Sequence, residues 1–212
     1  MILSRTGSRR LVLSAVLAST LGLAGCFGLA VTGAAIGTMA VLDRRSIGAQ
    51  TDDQAIELRG LRELNDAVNN GGHGSVAITS YNRRVLLSGQ AISADIKQRA
   101  EDVVRSRVPN IREIYNEIEL APNTTFAART RDTSLTARVK TGLVRERNLS
   151  ANAIKVVSED STVFLLGIVT PEEAERASII ASQVSGVARV VTLFEHVSQA
   201  ELDRIQGTDK PR

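Results

Sequence analysis

The feature that most constrains the fold of this chain is an internal repeat. The segment Val85–Gly89 (VLLSG) recurs as Val163–Gly167 (VFLLG), and the two glycines lie 78 positions apart. A repeat of this kind predicts two domains of one fold rather than a single large domain. Each copy spans roughly 70 residues, a size at which a domain buries only a limited core. We therefore expect the two copies to pack against each other.

Each copy carries the same succession of elements. Apolar residues four positions apart predict an opening helix, and alternating or apolar runs predict two strands. A second helix follows, for which Ser93 and Thr170 are suitable N-caps. The second helices are predicted at Ile96–Val108 and Glu172–Val184, and the last strands at Ile111–Leu120 and Val187–Val197. The predicted fold class is α+β: two tandem α-β-β-α-β domains, each with two helices packed on a three-stranded mixed sheet.

The first 25 residues have the pattern of a bacterial signal peptide. A basic segment precedes the apolar run Leu11–Leu23, which is shorter than the roughly 20 residues that span a bilayer. The run ends in Leu23-Ala24-Gly25-Cys26, which matches the lipobox pattern of leucine, small residues and cysteine. Proteins with this motif are cleaved before the cysteine and acylated on it. Several acyl chains together, palmitate among them, anchor such a protein stably in a membrane. We predict that Cys26 is the lipid anchor.

The alternative for this region is a plain transmembrane anchor. No charged residue occurs between Arg10 and Asp43, so the apolar stretch continues beyond Cys26. Its second half, Phe27–Leu42, is rich in Gly, Ala and Thr and is less hydrophobic than a typical span. In such lipoproteins an Asp directly after the cysteine often signals retention in the inner membrane. This chain has Phe27 at that position, which favours the outer membrane.

The charge balance argues against a nucleic-acid partner. The chain has 26 Lys and Arg against 23 Asp and Glu. Three of the arginines lie in the predicted signal peptide, which holds no acid, so the remaining chain is neutral. A general affinity for polyanions therefore loses its main support.

The sequence offers no constellation for catalysis or metal binding. The two histidines, His73 and His196, lack carboxylate or thiol ligands at a suitable spacing. Cys26 is the single cysteine and would be consumed by acylation. No serine lies in a Gly-x-Ser-x-Gly turn. We predict that the chain is not an enzyme and holds neither a metal nor a cofactor.

Positive charge is concentrated in the opening helix of the second copy, because Arg129–Arg147 holds six bases and two acids. On a helical wheel Leu135, Val139 and Leu143 form the core stripe. The outward face consists of Ser134, Ala137, Thr141 and Val144, flanked by Arg138 and Arg145 on one side and by Lys140 and Arg147 on the other. Such a face suits a bilayer interface, where cations meet lipid phosphates. The alternative is a solvated helix whose bases balance acids elsewhere in the fold.

The repeat resembles the BON domain, in which a Val-x-Leu-x-Gly strand precedes a helix and a further strand. The whole chain is similar to the dual-BON outer-membrane lipoproteins of the DolP/YraP type. The similarity includes the lipobox, Gly33–Ala40, Asp43–Gly48, Thr51–Asp53, Val85–Gln90, Val108–Glu119, Val163–Thr170 and Val184–Val191. It implies a signal peptide at 1–25, an acylated linker at 26–50, BON domains at 51–121 and 129–198, and a C-terminal tail at 199–212.

The resemblance also implies a function. Proteins of this type face the periplasm from the outer membrane and bind anionic phospholipids, phosphatidylglycerol and cardiolipin, through the opening helix of the second domain. They support envelope integrity near the outer-membrane assembly or division machinery. The positions that match the lipid-binding surface are Ser134, Leu135, Arg138, Val139, Lys140 and Val144. Ser134 stands where the family has a tryptophan, which predicts weaker lipid binding.

The alternative function is a protein-interaction adaptor in the envelope, whose membrane contact is limited to the acyl anchor. The opening helix of the first copy supports this reading, because Arg59 and Arg62 are interspersed with acids there. We expect that helix to pack on its sister domain or to meet a protein partner. A surface-exposed adhesin is a third possibility.

Overall fold

The structure, a computed structural model, describes residues 43–122, 126–147 and 149–207. These residues fall within one compact unit. The predicted signal peptide, Cys26 and the spacer Phe27–Leu42 lie outside the described residues.

The first domain has the predicted order of elements. It consists of α1 (Ile47–Leu64), β1 (Gly74–Tyr81), β2 (Arg84–Ala91), α2 (Ala94–Arg107), β3 (Glu113–Asn116) and β4 (Glu119–Leu120), with a π-helical turn at Asn65–Asn69 after α1. Strand β2 lies at the centre, antiparallel to β1 and parallel to β3 and β4. The single last strand predicted here is thus divided into two short strands on the same edge of β2.

The second domain repeats this arrangement. It consists of α3 (Phe126–Arg145), β5 (Ile154–Glu159), β6 (Thr162–Val169), α4 (Pro171–Ser182) and β7 (Arg189–His196), with a 3-10 turn at Ala151–Ala153. Strand β6 is antiparallel to β5 and parallel to β7. The predicted α+β class, the α-β-β-α-β order and the mixed sheets are therefore confirmed. A further helix, α5 (Gln199–Gln206), follows β7.

The predicted N-caps begin the second helix of each domain. The Ser93 hydroxyl accepts a hydrogen bond from the Ile96 N–H. Thr170 and Glu173 form a capping box, in which each side chain bonds the backbone N–H of the other residue. Helix α1 begins in the same way, because Ser46 accepts from the Ala49 N–H. These caps satisfy backbone donors that have no partner within the helix.

A buried aspartate holds the hairpin turn of each domain. The turns occur at Asn82-Arg83 and Asp160-Ser161, and all four residues have positive φ angles between 42° and 64°. Two-residue hairpins of this kind match the twist of their strands. Asp53 of α1 accepts hydrogen bonds from the N–H groups of Asn82 and Arg83 at 2.8 and 2.7 Å. Asp132 of α3 accepts from the corresponding N–H groups of Asp160 and Ser161 at 3.2 and 3.4 Å.

The glycine of the repeated strand motif is required by the close approach of the neighbouring strand. Gly89 has a φ of +110°, and a Cβ atom there would overlap the carbonyl oxygen of Ser75. At Gly167 a Cβ atom would lie 2.6 Å from the carbonyl oxygen of Ala153. Any larger residue would push the antiparallel partner strand away.

Three apolar cores give the molecule a layered architecture. One core lies between the helices and sheet of each domain. The third lies between the two sheets, where Leu86 and Tyr81 of the first domain meet Phe164, Leu166 and Leu193 of the second. Because successive residues of a strand point to opposite faces, each sheet carries helices on one face and the other sheet on the other. The helices of the two domains therefore form the two outer layers.

The two domains contact each other, as expected. The sheets make most of this contact, and the opening helix of the first copy contributes less. The Tyr81 hydroxyl donates to the carbonyl of Ala153 at 3.0 Å. Lys155 donates to a carboxylate oxygen of Glu57 at 2.6 Å, so α1 contributes one ion pair. Continuous apolar packing of this kind favours one fixed arrangement of the domains.

Short segments on either side of the predicted domains belong to the folded body. Arg44, within the range assigned to the linker, is buried and forms a two-point ion pair with Glu173 at 2.7 Å. It also donates to the Ile168 carbonyl at 2.8 Å. The range assigned to a C-terminal tail begins with α5, whose Leu202 is buried in the core between the sheets. We call Asp43–Arg45 the strap, because it joins the first domain to the second.

Candidate functional site

The basic helix α3 lies in the outer layer of the second domain. Leu135, Val139 and Leu143 are 3%, 0% and 1% exposed, and they pack in the core beneath the helix. This confirms the predicted core stripe. It also corrects the predicted lipid-binding set, because Val139 is fully buried and Leu135 reaches the surface only in the wall of the cavity beside Ser134 and Arg138. Their role is to fix the helix on the sheet.

The opposite face of α3 forms a neutral ridge, which we define as Thr133, Ala137, Thr141 and Val144. All four residues are exposed, and Val144 is the largest apolar side chain among them at 69% exposure. Both threonine hydroxyls donate to the carbonyl one turn earlier, Thr133 to Arg129 and Thr141 to Ala137. These bonds satisfy the polar atoms of the ridge within the helix itself.

Two rows of cations border the ridge. Arg131, Arg138 and Arg145 follow one another at intervals of seven residues along one side, and Arg129 and Lys140 lie along the other. Arg147 lies just beyond the end of the helix. In the part of the chain that the structure describes, none of these six cations forms an ion pair with a carboxylate.

Helix α2 of the first domain shows the contrast. Its three arginines, Arg99, Arg105 and Arg107, all reach carboxylates at 2.7–3.3 Å. The bases of α3 thus lack the close carboxylate partners that the arginines of α2 have, although the charge of Arg129 acts on Glu159 and opposes the rise of its pKa by burial. The two cation rows give α3 an exposed positive surface without ion pairs among the described residues.

The predicted surface residues lie along two shallow cavities, one on each side of the ridge. Ser134 and Arg138 line a cavity of about 300 Å³ together with Arg131 and Gly186. The Arg138 guanidinium donates to the Ser134 hydroxyl at 2.7 Å and to the Ser185 carbonyl at 3.3 Å. These bonds hold it beside the cavity without neutralising its charge.

Lys140 and Val144 line the second cavity, of about 310 Å³, which lies against the first domain. Its other walls include Arg45, Tyr81 and Lys155. Arg45 pairs with Asp43 and Asp53, and Lys155 pairs with Glu57. Lys140 is therefore the cation of this cavity that forms no ion pair among the described residues.

Tyr81 and Arg45 were missed from the sequence because their closeness to α3 depends on how the domains dock. The Arg45 guanidinium lies 4.3 Å from the centre of the Tyr81 ring. Burial raises the pKa of the Tyr81 hydroxyl, and the charge of Asp43 raises it further. Burial alone would lower the pKa of Arg45, but hydrogen bonds to Asp43 and Asp53 raise it overall. Tyr81 therefore stays a neutral donor and Arg45 a cation.

Neither histidine belongs to a metal-binding group of described side chains. His73 and His196 are both exposed, and His196 makes an edge contact with the Phe194 ring at 6.5 Å. Among residues 43–122, 126–147 and 149–207, no group of three or more His, Cys, Asp or Glu side chains is arranged to hold a metal ion. Within the same ranges, no helix combines the length and the apolar character needed to cross a bilayer.

Comparison with known families decides the classification. The model of the BON domain matches residues 52–122 and 131–197, which are the two α-β-β-α-β units. This chain is a dual-BON protein. The BON matches cover most of both folded domains, and the resemblance predicted from the strand motif is confirmed.

Individual relatives extend the similarity beyond the BON domains. The outer membrane lipoprotein DolP of Haemophilus influenzae is 35% identical over 185 residues, which cover 87% of this chain and 95% of that protein. A 21 kDa hemolysin of Actinobacillus pleuropneumoniae is 30% identical over 156 residues, 74% of this chain and 80% of that protein. The chain is thus a DolP-like member of the BON family.

A solved structure with some likeness is the C-terminal domain of CdsD, a structural protein of the type III secretion system of Chlamydia trachomatis. It is 8% identical to this chain, and the TM-score is 0.28. The match covers 65% of this chain and 97% of the CdsD chain. A TM-score this low does not establish a shared fold.

Proposed function

We propose that this dual-BON protein is an outer-membrane lipoprotein that binds anionic phospholipid, such as phosphatidylglycerol or cardiolipin, through helix α3, and thereby supports the cell envelope. The observation that carries this proposal is the neutral ridge between two rows of cations that form no ion pair with a carboxylate in the part of the chain that the structure describes. A bilayer surface supplies many phosphates in one plane, which both rows could reach at once.

The composition of the ridge defines the expected mode of binding. A base close to an anionic membrane surface contributes about 1 kcal/mol, so two rows supply a useful attraction. The ridge carries only one large apolar side chain, Val144, and this limits insertion into the acyl region. We therefore infer a shallow, electrostatic contact that weakens as ionic strength rises.

The strap supports a location on one membrane. Arg45 lines the same cavity as Lys140 and Val144, so the chain enters the folded body beside α3. An acyl anchor at Cys26, which lies outside the described residues, would precede this entry point. The 35% identity to an outer membrane lipoprotein over 95% of its length supports an outer-membrane location. We propose that the folded body faces the periplasm.

The test is vesicle pelleting of the chain from Asp43 onward, which contains all three cores but lacks the proposed anchor. Vesicles of pure phosphatidylcholine are compared with vesicles that contain phosphatidylglycerol or cardiolipin. The variant R138E/K140E reverses one cation in each row. The matched control, R59E/R62E, makes the same change of charge at two exposed arginines of α1.

We expect the unmodified chain and R59E/R62E to pellet with anionic vesicles, and R138E/K140E to remain in the supernatant. Added salt should release the bound chain. Equal pelleting of all three proteins would contradict the proposal, and so would equal loss in both variants, because overall charge rather than α3 would then account for binding.

A further inference from the structure

Helix α1 of the first domain carries an apolar surface that no part of the described chain covers. Ile47, Leu58 and Leu61 are 78%, 70% and 46% exposed. Leu58 lies at the rim of a groove of about 310 Å³ between α1 and the turn that follows α2. The floor and far wall of this groove include Ala55, Ile56, Val108 and Pro109. We call this feature the α1 groove.

Two arginines, Arg59 and Arg62, line the α1 groove. Neither forms an ion pair with a carboxylate in the part of the chain described by the structure, whereas Asp52 on the same groove is paired with Arg83 at 2.8 Å. The groove therefore combines an exposed leucine, Leu58, with two guanidinium groups that form no ion pair among the described residues. This combination complements a ligand that is apolar on one side and acidic beside it.

The equivalent helix of the second domain lacks this combination. At the repeat offset of 79, Leu58 corresponds to Ala137 and Leu61 to Lys140. The two copies have kept the same core but differ on their outward faces. The first presents large apolar side chains beside a pair of arginines, whereas the second presents small side chains between rows of cations.

The two opening helices pack on different sheets, and those sheets pack against each other. The start of α1 comes near α3, because Arg45, which pairs with Asp53 of α1, lines the same cavity as Lys140. The α1 groove extends along α1 to Arg62. If α3 rests on a bilayer, as proposed above, the α1 groove belongs to the helix layer of the other domain. We therefore expect it to take its ligand from the aqueous phase rather than from lipid headgroups.

We propose that the α1 groove binds an amphipathic segment of a partner protein, whose Asp or Glu side chains pair with Arg59 and Arg62. Its apolar side chains contact Leu58 at the rim of the groove and Leu61, which is exposed one helical turn further along α1. Helix-in-groove recognition of this kind places apolar anchors at three- and four-residue spacing. The proposal rests on the proposed function only in assigning the ligand to the aqueous phase.

The experiment selects ligands on the full chain, reconstituted in nanodiscs of anionic phospholipid. The probe is a phage-displayed library of random peptides roughly three helical turns long. Selected peptides are synthesised with a fluorescent label, and binding is followed by fluorescence polarisation. The variants are R59E/R62E and L58S/L61S, and the matched control is I92S/L120S, which changes two exposed apolar residues elsewhere in the first domain.

We expect selected peptides to combine apolar residues with Asp or Glu and to bind I92S/L120S as they bind the unmodified chain. R59E/R62E should weaken binding by about tenfold, and replacing the acids of the peptide by lysine should restore it. L58S/L61S should abolish binding. All four substituted positions are exposed, so loss of folding is not expected to account for the losses.

Failure to enrich such peptides, or binding that neither variant weakens, would overturn the proposal. Weaker vesicle pelleting by L58S/L61S without any change in peptide binding would also overturn it, because the apolar face would then contact lipid. If R138E/K140E binds vesicles normally, the proposed membrane role of α3 is wrong. Peptide binding in the α1 groove that persists in that case would still support the proposal made here.

Discussion

Asp53 and Asp132 lie 79 positions apart, and each receives the two backbone N–H groups of the hairpin turn in its own domain. Asp53 is bound more tightly, because it also accepts from the Ser80 hydroxyl at 2.6 Å and from Arg45 at 2.8 Å. The first helix of each domain thus fixes the turn that sets the register of its sheet. In the first domain the same carboxylate also holds the strap.

This difference predicts unequal effects of two equivalent substitutions. Asp53→Ala leaves buried donors unsatisfied and should lower the free energy of unfolding by about 3 kcal/mol or more. Asp132→Ala breaks only two longer bonds and should cost roughly 1 kcal/mol. Urea unfolding followed by circular dichroism measures both values. Equal losses, or no loss from Asp53→Ala, would contradict the role we assign to this carboxylate.

The motif glycines give a second stability prediction. Gly89→Ala combines a left-handed φ with a backbone overlap and should destabilise the fold by about 3 kcal/mol. Gly167→Ala meets only the overlap and should cost about 2 kcal/mol. The control is Gly48→Ala in α1, where the nearest atom is 3.9 Å away and a gain of up to about 1 kcal/mol is expected. Thermal unfolding ranks the three variants by stability. A Gly89→Ala variant as stable as Gly48→Ala would contradict the claim that the backbone at position 89 requires glycine.

The ion pair between Arg44 and Glu173 predicts a dependence of stability on pH. Burial alone would raise the pKa of Glu173, but hydrogen bonds from Arg44 and from the Thr170 N–H, together with the charge of Arg44, lower it below its ordinary value of 4.5. A carboxyl with a lowered pKa in the folded state stabilises that state above pH 4.5, and this contribution is lost as the pH falls through the native pKa.

Glu173→Gln should therefore be less stable than the unmodified chain by about 1–3 kcal/mol at neutral pH, with the difference shrinking below pH 4.5. Denaturant titrations at pH 7 and at acidic pH measure the two differences. Glu175→Gln, on the exposed side of the same helix, is the control and should show little effect at either pH. A difference between Glu173→Gln and the unmodified chain that stays constant with pH would exclude this ion pair as the cause.

Much of the fold follows from the sequence, because local patterns specify it. The repeated Val-x-Leu-x-Gly segment, the caps Ser93 and Thr170 and the apolar stripe of α3 each depend on nearby residues, and all were predicted. The strap and the α5 contact were not, because Arg44 meets Glu173 across 129 positions and Leu202 packs in the core between the two sheets. Long-range docking of this kind leaves no periodic signal.

The candidate site was predicted in part for the same reason. Helical periodicity placed the cations on both sides of the outward face of α3. The resemblance to relatives added Leu135 and Val139, which the structure buries. Periodicity could not reveal that Lys140 shares a cavity with Arg45 and Tyr81 of the other domain. Nor could it show that the cations of α3 form no ion pair with any described carboxylate, since pairing depends on tertiary contacts.

Position 134 offers a test by gain of function. Ser134→Trp places an aromatic ring beside the ridge, where it can insert at the headgroup level, and should tighten binding to anionic vesicles by about tenfold. Because the chain contains no tryptophan, fluorescence emission reports on this ring alone and should shift to shorter wavelength when vesicles are added. Ala55→Trp, at the equivalent position of α1, is the control; an unshifted spectrum for Ser134→Trp would count against contact there.

The most direct measurement of the membrane contact is paramagnetic broadening of backbone amide signals. The full chain is placed in nanodiscs of anionic phospholipid, with and without lipids that carry a nitroxide on the headgroup. We predict strong broadening at Ala137, Thr141 and Val144 and little at Leu58 and Leu61 on the opposite layer. Broadening confined to α1, or none on either helix, would contradict a bilayer seated on the ridge of α3.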